Sequence, residues 1–344
     1  MANSPIKRIN LALQGGGSHG AYTWGALDAL SEREDLEIVG ISGASAGAMN
    51  AVVFADGLQS GGRGAAREKL EAFWRSISSD GEWPDAERPL IGAWLNAWTS
   101  MFAPKAWLDV VSRLTSPYEF NPLDVNPLRD RLIEAVDFGS LARGVEPKLF
   151  IAATNVRTGK GEIFRREILT ADHVMASACL PTLFQAVEIG GVAYWDGGYS
   201  GNPPLWPLFY ETDCRDTVII EIDPIERAET PRTPDEIANR INEISFNAPL
   251  LAELRAADFV GRLIDDGALQ SPNYRRELLH RIGGVGKLES FDAGTKLEVD
   301  WEFLLKLRDL GREAAKTWLE ENFDAIGERS TLDVAETLNK PGRR

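Results

Sequence analysis

A serine framed by small residues is the feature of this sequence best suited to chemistry. Ser45 stands at the centre of Gly-Ala-Ser-Ala-Gly at residues 43–47, after a strand-like run at 36–41 and before a helix-like run at 48–54. At such a tight strand-to-helix turn the serine hydroxyl is exposed as a nucleophile, and the amides of the helix N-terminus can stabilise an oxyanion. The pentapeptide alone is equally consistent with an ordinary serine cap of a helix.

A glycine loop lies upstream of this serine. A strand-like run at residues 9–14 leads into the loop, and a helix-like run at 21–30 follows it. The glycines of the loop are Gly15, Gly16, Gly17 and Gly20. Backbone amides can converge on an anion where side chains are absent. We therefore predict an oxyanion hole beside Ser45, made by amides of this loop together with the amide of Ala46.

The same glycines also fit the G-x-G-x-x-G fingerprint of a dinucleotide-binding site. That fingerprint requires an acidic residue at the end of the next strand, where it binds the ribose. Here the next strand ends in the Ser45 turn, and Glu34 and Asp35 precede that strand instead of closing it. The sequence therefore favours an oxyanion hole over a nucleotide site.

A serine hydroxyl needs a general base, and Asp196 is the best candidate in the sequence. It follows a strand-like run at residues 192–195 and precedes Gly197 and Gly198, so it stands where a strand opens into a flexible loop. Aspartate has an ordinary pKa of about 3.9, which is low for a base, but burial against an aromatic neighbour such as Trp195 would raise that pKa. A plain turn aspartate is the alternative interpretation.

The histidines offer a second choice of base. The chain has three: His19 falls inside the glycine loop, His173 in a helix-like stretch, and His280 in a polar stretch that we expect to be helical. None of them stands in a context typical of a catalytic histidine. A Ser-His-Asp triad that uses His173 or His280 is the rival mechanism.

Three motifs in chain order resemble those of the patatin-like phospholipase family. They are Gly-Gly-Gly-x-x-Gly at residues 15–20, Gly-x-Ser-x-Gly at 43–47 and Asp-Gly-Gly at 196–198. The helix-to-proline segment at residues 177–184 also resembles the family, and the similarity extends over about residues 7–225. The sequence departs from the pattern at His19, where many relatives carry arginine, so the role of that loop position here is open.

The resemblance implies a fold and a set of site residues. The fold would be a three-layer α/β/α patatin-like sandwich with a mainly parallel central sheet. Ser45 would be the nucleophile and Asp196 the base of a Ser–Asp dyad that cleaves acyl esters of lipids without metal or cofactor. Oxyanion donors would be Gly15, Gly16 and Gly17, and the supporting motif glycines would be Gly20, Gly43, Gly47, Gly197 and Gly198.

The order of predicted elements gives the domain organisation. Strands and helices alternate through residues 7–225, which we predict to form the catalytic α/β core, with a helical, lid-like insertion at about 65–135. Residues 226–330 are largely helix-like and rich in charged residues, so we expect a C-terminal helical cover packed on the core. Residues 331–344 read as a tail.

An uncharged stretch within the insertion bears on the substrate. Between Arg88 and Lys105, Trp94, Trp98 and Phe102 share one helical face. They could line an acyl pocket, form a lid or touch a lipid surface; packing on the core is an equally good interpretation. Because the polar face carries no lysine or arginine, we favour a pocket or lid over a membrane anchor.

Composition limits the partners and the compartment. The 344 residues carry a net charge of −15, which argues against nucleic acid as a partner and disfavours docking on anionic lipid. Two cysteines suit a reducing compartment, and the chain shows no signal-type segment and no apolar run of about 18 residues. We expect a cytoplasmic protein, peripheral at most at lipid surfaces, of open oligomeric state.

These observations predict a serine acyl hydrolase of phospholipase A, lysophospholipase or lipid esterase type. A Ser-His-Asp esterase, a thioesterase and an intracellular polyester depolymerase are the alternatives, because each presents a carbonyl to the same machinery. A nucleotide-binding oxidoreductase is the more distant alternative.

Overall fold

The computed structural model describes residues 6–79, 116–122, 124–227, 229–283 and 299–338. The strands are β1 (Lys7–Leu13), β2 (Leu36–Gly43), β3 (Lys148–Asn155), β4 (Gly161–Arg165), β5 (Val187–Ile189), β6 (Val192–Asp196), β7 (Asp216–Glu221) and β8 (Leu278–Gly283). The helices are α1 (Gly20–Leu30), α2 (Ala46–Ser76), α3 (Pro117–Phe120), α4 (Pro127–Ala135), α5 (Phe138–Leu141), α6 (Ala171–Ser177), α7 (Trp206–Glu211), α8 (Pro234–Asp265), α9 (Trp301–Asn322) and α10 (Val334–Thr337). Among the described residues, none of the helices combines the length and the apolar character needed to cross a membrane.

The described strands form one sheet with the order β5-β6-β3-β2-β1-β7-β8, and β4 pairs in addition with β3. The pairs β3–β2, β2–β1, β1–β7 and β7–β8 are parallel, whereas β4 and β6 run antiparallel to β3 and β5 antiparallel to β6. The predicted α/β fold with a mainly parallel central sheet is therefore confirmed.

Apolar side chains point alternately to the two sides of the sheet, so both faces of the sheet are buried. With helices on each face, the molecule has three layers. Leu11, Ile41 and Ile151 belong to a core shared with α1, α2, α6 and α9. Their neighbours Ala12 and Phe150 point the other way, into a second core shared with α7 and α8. Successive strand residues face opposite sides of a sheet, so helices cover this sheet on both sides.

α9 is built into one of these helical layers. A Cβ at Gly25 of α1 would lie 1.9 Å from the carbonyl oxygen of Arg308, and a Cβ at Gly311 of α9 would lie 1.9 Å from that of Tyr22. The two helices therefore touch backbone to backbone, and only glycine allows that approach. α9 thus belongs to the three-layer body.

Two expectations about elements need correction or refinement. The C-terminal region is not purely helical, because β8 pairs in parallel with β7 and extends the sheet; His280, expected in a helix, lies in this strand. The glycine-rich run at residues 60–64, which from the sequence alone would be expected to separate two elements, is a kink inside α2, where Gly62 has φ 74°. Trp94, Trp98 and Phe102, and much of the predicted insertion, lie outside the described residues.

Candidate active site

Ser45 occupies a strained turn between β2 and α2. Its φ of 54° and ψ of −126° are rare for a residue with a side chain, and such a conformation costs on the order of 1–3 kcal/mol. The Ser45 amide donates to both the carbonyl and the hydroxyl oxygen of Ser177, each at 3.1 Å. This strained strand-to-helix turn has the backbone geometry of a nucleophile elbow.

The small residues around Ser45 are required by close backbone approaches. A Cβ at Gly43 would lie 2.7 Å from the carbonyl carbon and oxygen of Gly47, so strand and helix nearly touch across the turn. A Cβ at Gly47 would lie 2.2 Å from the carbonyl oxygen of Leu13 at the end of β1. The start of α2 is therefore pressed against the end of β1, where the glycine loop begins.

The glycine loop lies directly against the serine. A Cβ at Gly15 would be 2.6 Å from the Cβ of Ser45 and 2.6 Å from the carbonyl oxygen of Ala44. Parallel pairing brings this about, because Leu13 at the end of β1 is in register with Gly43 at the end of β2. A Cβ at Gly20 would lie 2.7 Å from the Cβ of Ala46, so the far end of the loop also contacts the elbow.

The amides of the loop differ in what they can bind. The Gly15 amide donates to Oδ1 of Asn202 at 2.7 Å, so it is already used; the prediction that Gly15 is an oxyanion donor is corrected on this ground. No hydrogen-bond acceptor for the amides of Gly16 and Gly17 is found among the described residues. Gly17 has φ 61°, a conformation that favours glycine.

Ala46 is the first residue of α2. An amide at this position has no acceptor within its own helix and carries part of the positive end of the helix dipole. The first turn of α2 contains no acidic residue that would cancel this field. The amide of Ala46 is thus a fitting third donor beside Gly16 and Gly17.

The sheet carries Asp196 to the same place from the opposite direction. Gly43 at the end of β2 is in register with Ile151 of β3, and Asp196 at the end of β6 is in register with Ala153. β4 pairs with β3 over residues 150–154 and occupies its other edge. β2 and β6 therefore share one edge of β3 and run towards each other, so that their ends meet.

Asp196 is a fully buried carboxyl group. Its Oδ1 accepts a hydrogen bond from the amide of Gly198 at 2.7 Å, and its Oδ2 makes no hydrogen bond to the described residues. Burial raises the pKa of Asp196 to about 7, and the Gly198 amide and the Ser45 side chain oppose that rise.

Gly197 and Gly198 allow the chain to leave the sheet after Asp196. A Cβ at Gly197 would lie 2.1 Å from the carbonyl oxygen of Ala152. A Cβ at Gly198 would lie 2.1 Å from the ring of Phe246 on α8. The two glycines of the Asp-Gly-Gly motif are thus required because the backbone of β3 leaves no room for a side chain at Gly197, and α8 leaves none at Gly198.

The histidines have other surroundings. His280 is buried in β8, where its Nε2 and Nδ1 lie 3.0 Å from Asp216 and Thr331; β1 and β7 separate this strand from β2. His173 pairs through Nδ1 with Thr170 at the start of α6, the end opposite to Ser177. His19 is buried at the end of the turn Gly17–His19.

Residues that sequence reasoning did not single out also contact the site. Asn202 binds Gly15, and Ser177 binds Ser45. The segment 177–184 carried the resemblance without a stated role, whereas nothing in the sequence distinguished Asn202. Burial raises the pKa of the nearby Cys179 to about 12, so that thiol stays protonated and is a poor nucleophile.

Comparison with known families decides the assignment. A family model described as patatin-like phospholipase matches residues 11–209, more than half of the 344 residues. The chain belongs to the patatin-like phospholipase family. The match includes the glycine loop, Ser45 and Asp196, and it ends before β7, α8, β8 and α9. This patatin-like chain is therefore a member of a family of lipid acyl hydrolases, as its motifs predicted.

Wider comparisons add little to this. The patatin-like chain is similar to the crystal structure of VipD from Legionella pneumophila, with 14% identity and a TM-score of 0.35 over 89% of this chain and 67% of that chain. Both values are low, and the family assignment rests on the sequence match. No curated protein matches the chain. Within the described residues, no cluster of three or more His, Cys, Asp or Glu side chains is suited to hold a metal ion.

Proposed function

We propose that this protein hydrolyses carboxylic esters of lipids through a Ser45–Asp196 dyad and an acyl-enzyme. The observation that carries the proposal is the pairing of a strained serine with a buried aspartate at the meeting point of β2 and β6. The Ser45 elbow has φ 54°, and the pKa of Asp196 is about 7. A base with a pKa near the working pH is the most effective one for general-base catalysis.

In the first step, the Asp196 carboxylate accepts the proton of the Ser45 hydroxyl as the serine oxygen attacks the ester carbonyl carbon. The new C–O bond forms while the carbonyl π electrons move onto oxygen and give a tetrahedral oxyanion. The amides of Gly16, Gly17 and Ala46 are the donors we assign to that oxyanion, with the N-terminus of α2 adding a favourable field.

Acylation is completed when the tetrahedral intermediate collapses and the alcohol leaves with the proton held by Asp196. Water then attacks the acyl-Ser45 ester, and Asp196 takes a proton from that water and returns one to Ser45. Atoms balance to one carboxylic acid and one alcohol for each ester and water consumed. Burial raises the pKa of Asp196 to about 7, so near neutral pH neither its neutral nor its ionised form is strongly favoured. Asp196 can therefore both accept and donate the proton.

The positions of the histidines support a dyad over a triad. His280 lies in a strand separated from β2 by β1 and β7 and is paired with Asp216. His173 is held by Thr170, and its ring packs against Phe164 at 4.4 Å between centroids. Burial lowers the pKa of His173 and so keeps its ring neutral. The ring nevertheless lies in the first turn of α6, whereas Ser177, which contacts Ser45, is at the other end of that helix.

The test is ester hydrolysis by matched variants. Wild type, Ser45→Ala, Asp196→Asn and His280→Ala are compared on a short p-nitrophenyl ester and on a phospholipid in mixed micelles, with folding checked by circular dichroism. The proposal predicts that the first two variants lose nearly all activity on both substrates while His280→Ala keeps it. Full activity of folded Ser45→Ala would overturn the proposal. Activity on the short ester without activity on the phospholipid would redirect the substrate class towards neutral esters, thioesters or polyesters.

A further inference from the structure

Three buried amide side chains meet behind the glycine loop. They are Gln14 at the end of β1, Asn202 after β6 and Asn247 on α8, each at most 2% exposed. Asn202 grips the Gly15 peptide from both sides: its Oδ1 accepts from the Gly15 amide at 2.7 Å, and its Nδ2 donates to the Gly15 carbonyl at 3.4 Å. The peptide next to the candidate oxyanion donors is therefore fixed by a side chain.

Gln14 connects this grip to the rest of the fold. Its Nε2 donates to the carbonyl of Asn202 at 3.4 Å and to Oδ1 of Asn247 at 2.9 Å. Its Oε1 accepts from the amides of Ile222 and Asp223, just after β7, at 2.8 and 2.9 Å. Both polar ends of Gln14 are thus satisfied, which a fully buried amide requires.

Asn247 closes the network from the helix. Its Nδ2 donates to the carbonyls of Asp223 and Pro224 at 3.4 and 3.2 Å, while its Oδ1 receives Gln14. The preceding residue, Phe246, packs on Gly198 beside Asp196. Two adjacent residues of α8 thus support both halves of the site, although α8 lies outside the segment matched by the family model.

We propose that Gln14, Asn202 and Asn247 form an amide clamp that positions the Gly16 and Gly17 amides for the oxyanion, and that α8 is thereby part of the catalytic apparatus. This inference rests on the proposed function. The three are positioning residues, since none of them touches the reacting atoms. An oxyanion hole works only when its donors are fixed before charge develops, and a displacement of about 1 Å can cost on the order of 10²-fold in rate.

The clamp predicts a particular kinetic signature. Asn202→Ala and Asn247→Ala should each lower kcat by on the order of 10- to 100-fold with little change in KM, because the transition state needs the loop amides more than the ground state does. Affinity for an alkyl trifluoromethyl ketone, which forms a tetrahedral adduct with a serine, should fall by a similar factor. Because both variants loosen the same loop, Asn202→Ala directly at Gly15 and Asn247→Ala through Gln14, the double variant should lose less than the product of the two single effects.

The decisive experiment adds hydrogen–deuterium exchange of the loop. Amides of a peptide that contains Gly15, Gly16 and Gly17 should exchange about 5- to 10-fold faster in Asn202→Ala, the effect expected when one hydrogen bond of the loop is lost. They should also exchange faster in Asn247→Ala, because Gln14 then loses its partner on α8. The matched control is Ser245→Ala, on an exposed position of α8 whose hydroxyl bonds only its own helix, to Ile241; it should leave exchange, kcat and inhibitor affinity unchanged.

Each outcome has a defined meaning. Unchanged loop exchange in both folded variants would overturn the clamp, and so would faster exchange with unchanged kcat. If Asn202→Ala does not fold, Asn247→Ala decides the question alone, because it removes the partner of Gln14 on α8 without touching the Gly15–Asn202 contact. An inactive wild type would contradict the proposed function instead, and the exchange rates would still show whether the network holds the loop.

Discussion

The backbone amide of Asp196 donates a hydrogen bond to the carbonyl of Cys179 at 2.8 Å. Two residues earlier, Ser177 accepts the amide of Ser45 through its carbonyl and its hydroxyl. One short segment at the end of α6, residues 177–179, therefore holds both candidate catalytic residues by their backbones. This bridge fixes the separation of Ser45 and Asp196 independently of the sheet.

The pH dependence of hydrolysis should report Asp196. The base must be ionised to accept the serine proton, and burial raises its pKa to about 7. We expect kcat/KM to rise with pH as a single ionisation with an apparent pKa near 7, measured on a neutral, soluble ester from about pH 5 to 9. A profile that is flat above about pH 5 would show that Asp196 is not the titrating base.

Neutralising Asp196 should stabilise the protein at high pH. The carboxyl has a pKa of 3.8 when unperturbed and about 7 in the fold, so between these pH values the folded state binds the extra proton. Its contribution to stability is fully present below about pH 4 and is lost as the pH rises through 7. The cause is desolvation of the charged form, which an amide avoids.

Asp196→Asn should therefore exceed wild type in unfolding free energy, by an amount that grows from about pH 5 to pH 8. At about 1.4 kcal/mol per pKa unit, the gain at pH 8 is a few kcal/mol. Urea unfolding of both proteins at several pH values measures it. A constant difference across this range would mean that Asp196 does not carry the raised pKa.

Bulk at Gly16 should damage catalysis more than stability. A Cβ there would lie 2.8 Å from Cδ1 of the buried Ile222, so in Gly16→Ala either this packed side chain or the loop has to move. We expect the loop to shift and to carry its amides away from the oxyanion. We expect kcat to fall by about 10²-fold, as for loss of one oxyanion donor.

The companion variants for Gly16→Ala are Gly64→Ala and Gly16→Ala combined with Ile222→Val. A Cβ at Gly64 meets nothing within 4 Å, so the Gly64→Ala variant should have the kcat of wild type. Ile222→Val removes the clashing methyl group and should restore part of kcat. Unchanged kcat in Gly16→Ala would remove this loop from the oxyanion hole.

His280 should matter for folding but not for chemistry. Its ring is fully buried, hydrogen bonded to Asp216 and Thr331, and packed edge-on against Trp318 at 5.7 Å between centroids. His280→Ala should lower the unfolding free energy by about 2–4 kcal/mol through a cavity and an unpaired Asp216. Its kcat per titrated active site should stay within about twofold of wild type, whereas a loss of 100-fold or more would favour the triad.

Local sequence patterns were sufficient for the parts of the site that depend on local geometry. The glycines around Ser45 and after Asp196 are visible because tight turns require glycine at fixed spacings. The tight turn between β5 and β6 requires glycine for the same reason, since Gly190 and Gly191 have φ 59° and 79°.

The rest depends on contacts between distant residues. β8 reads as a polar segment because it contains His280 and Arg281. These side chains fit in a sheet only because they pair with Asp216 and Glu221, which lie 64 and 60 residues away. The Gln14–Asn247 hydrogen bond spans 233 residues, and no local spacing predicts it. The Gly15 amide looked available in the sequence, and only the fold shows that Asn202 occupies it.

The most direct test of the central claim is labelling with a fluorophosphonate probe, followed by mass spectrometry of the modified peptide. We predict stoichiometric modification at Ser45 in wild type and in His280→Ala. We predict much slower labelling in Asp196→Asn and none in Ser45→Ala. Modification of a different serine, or equally fast labelling when Asp196 is replaced, would contradict the assignment of a Ser45–Asp196 dyad.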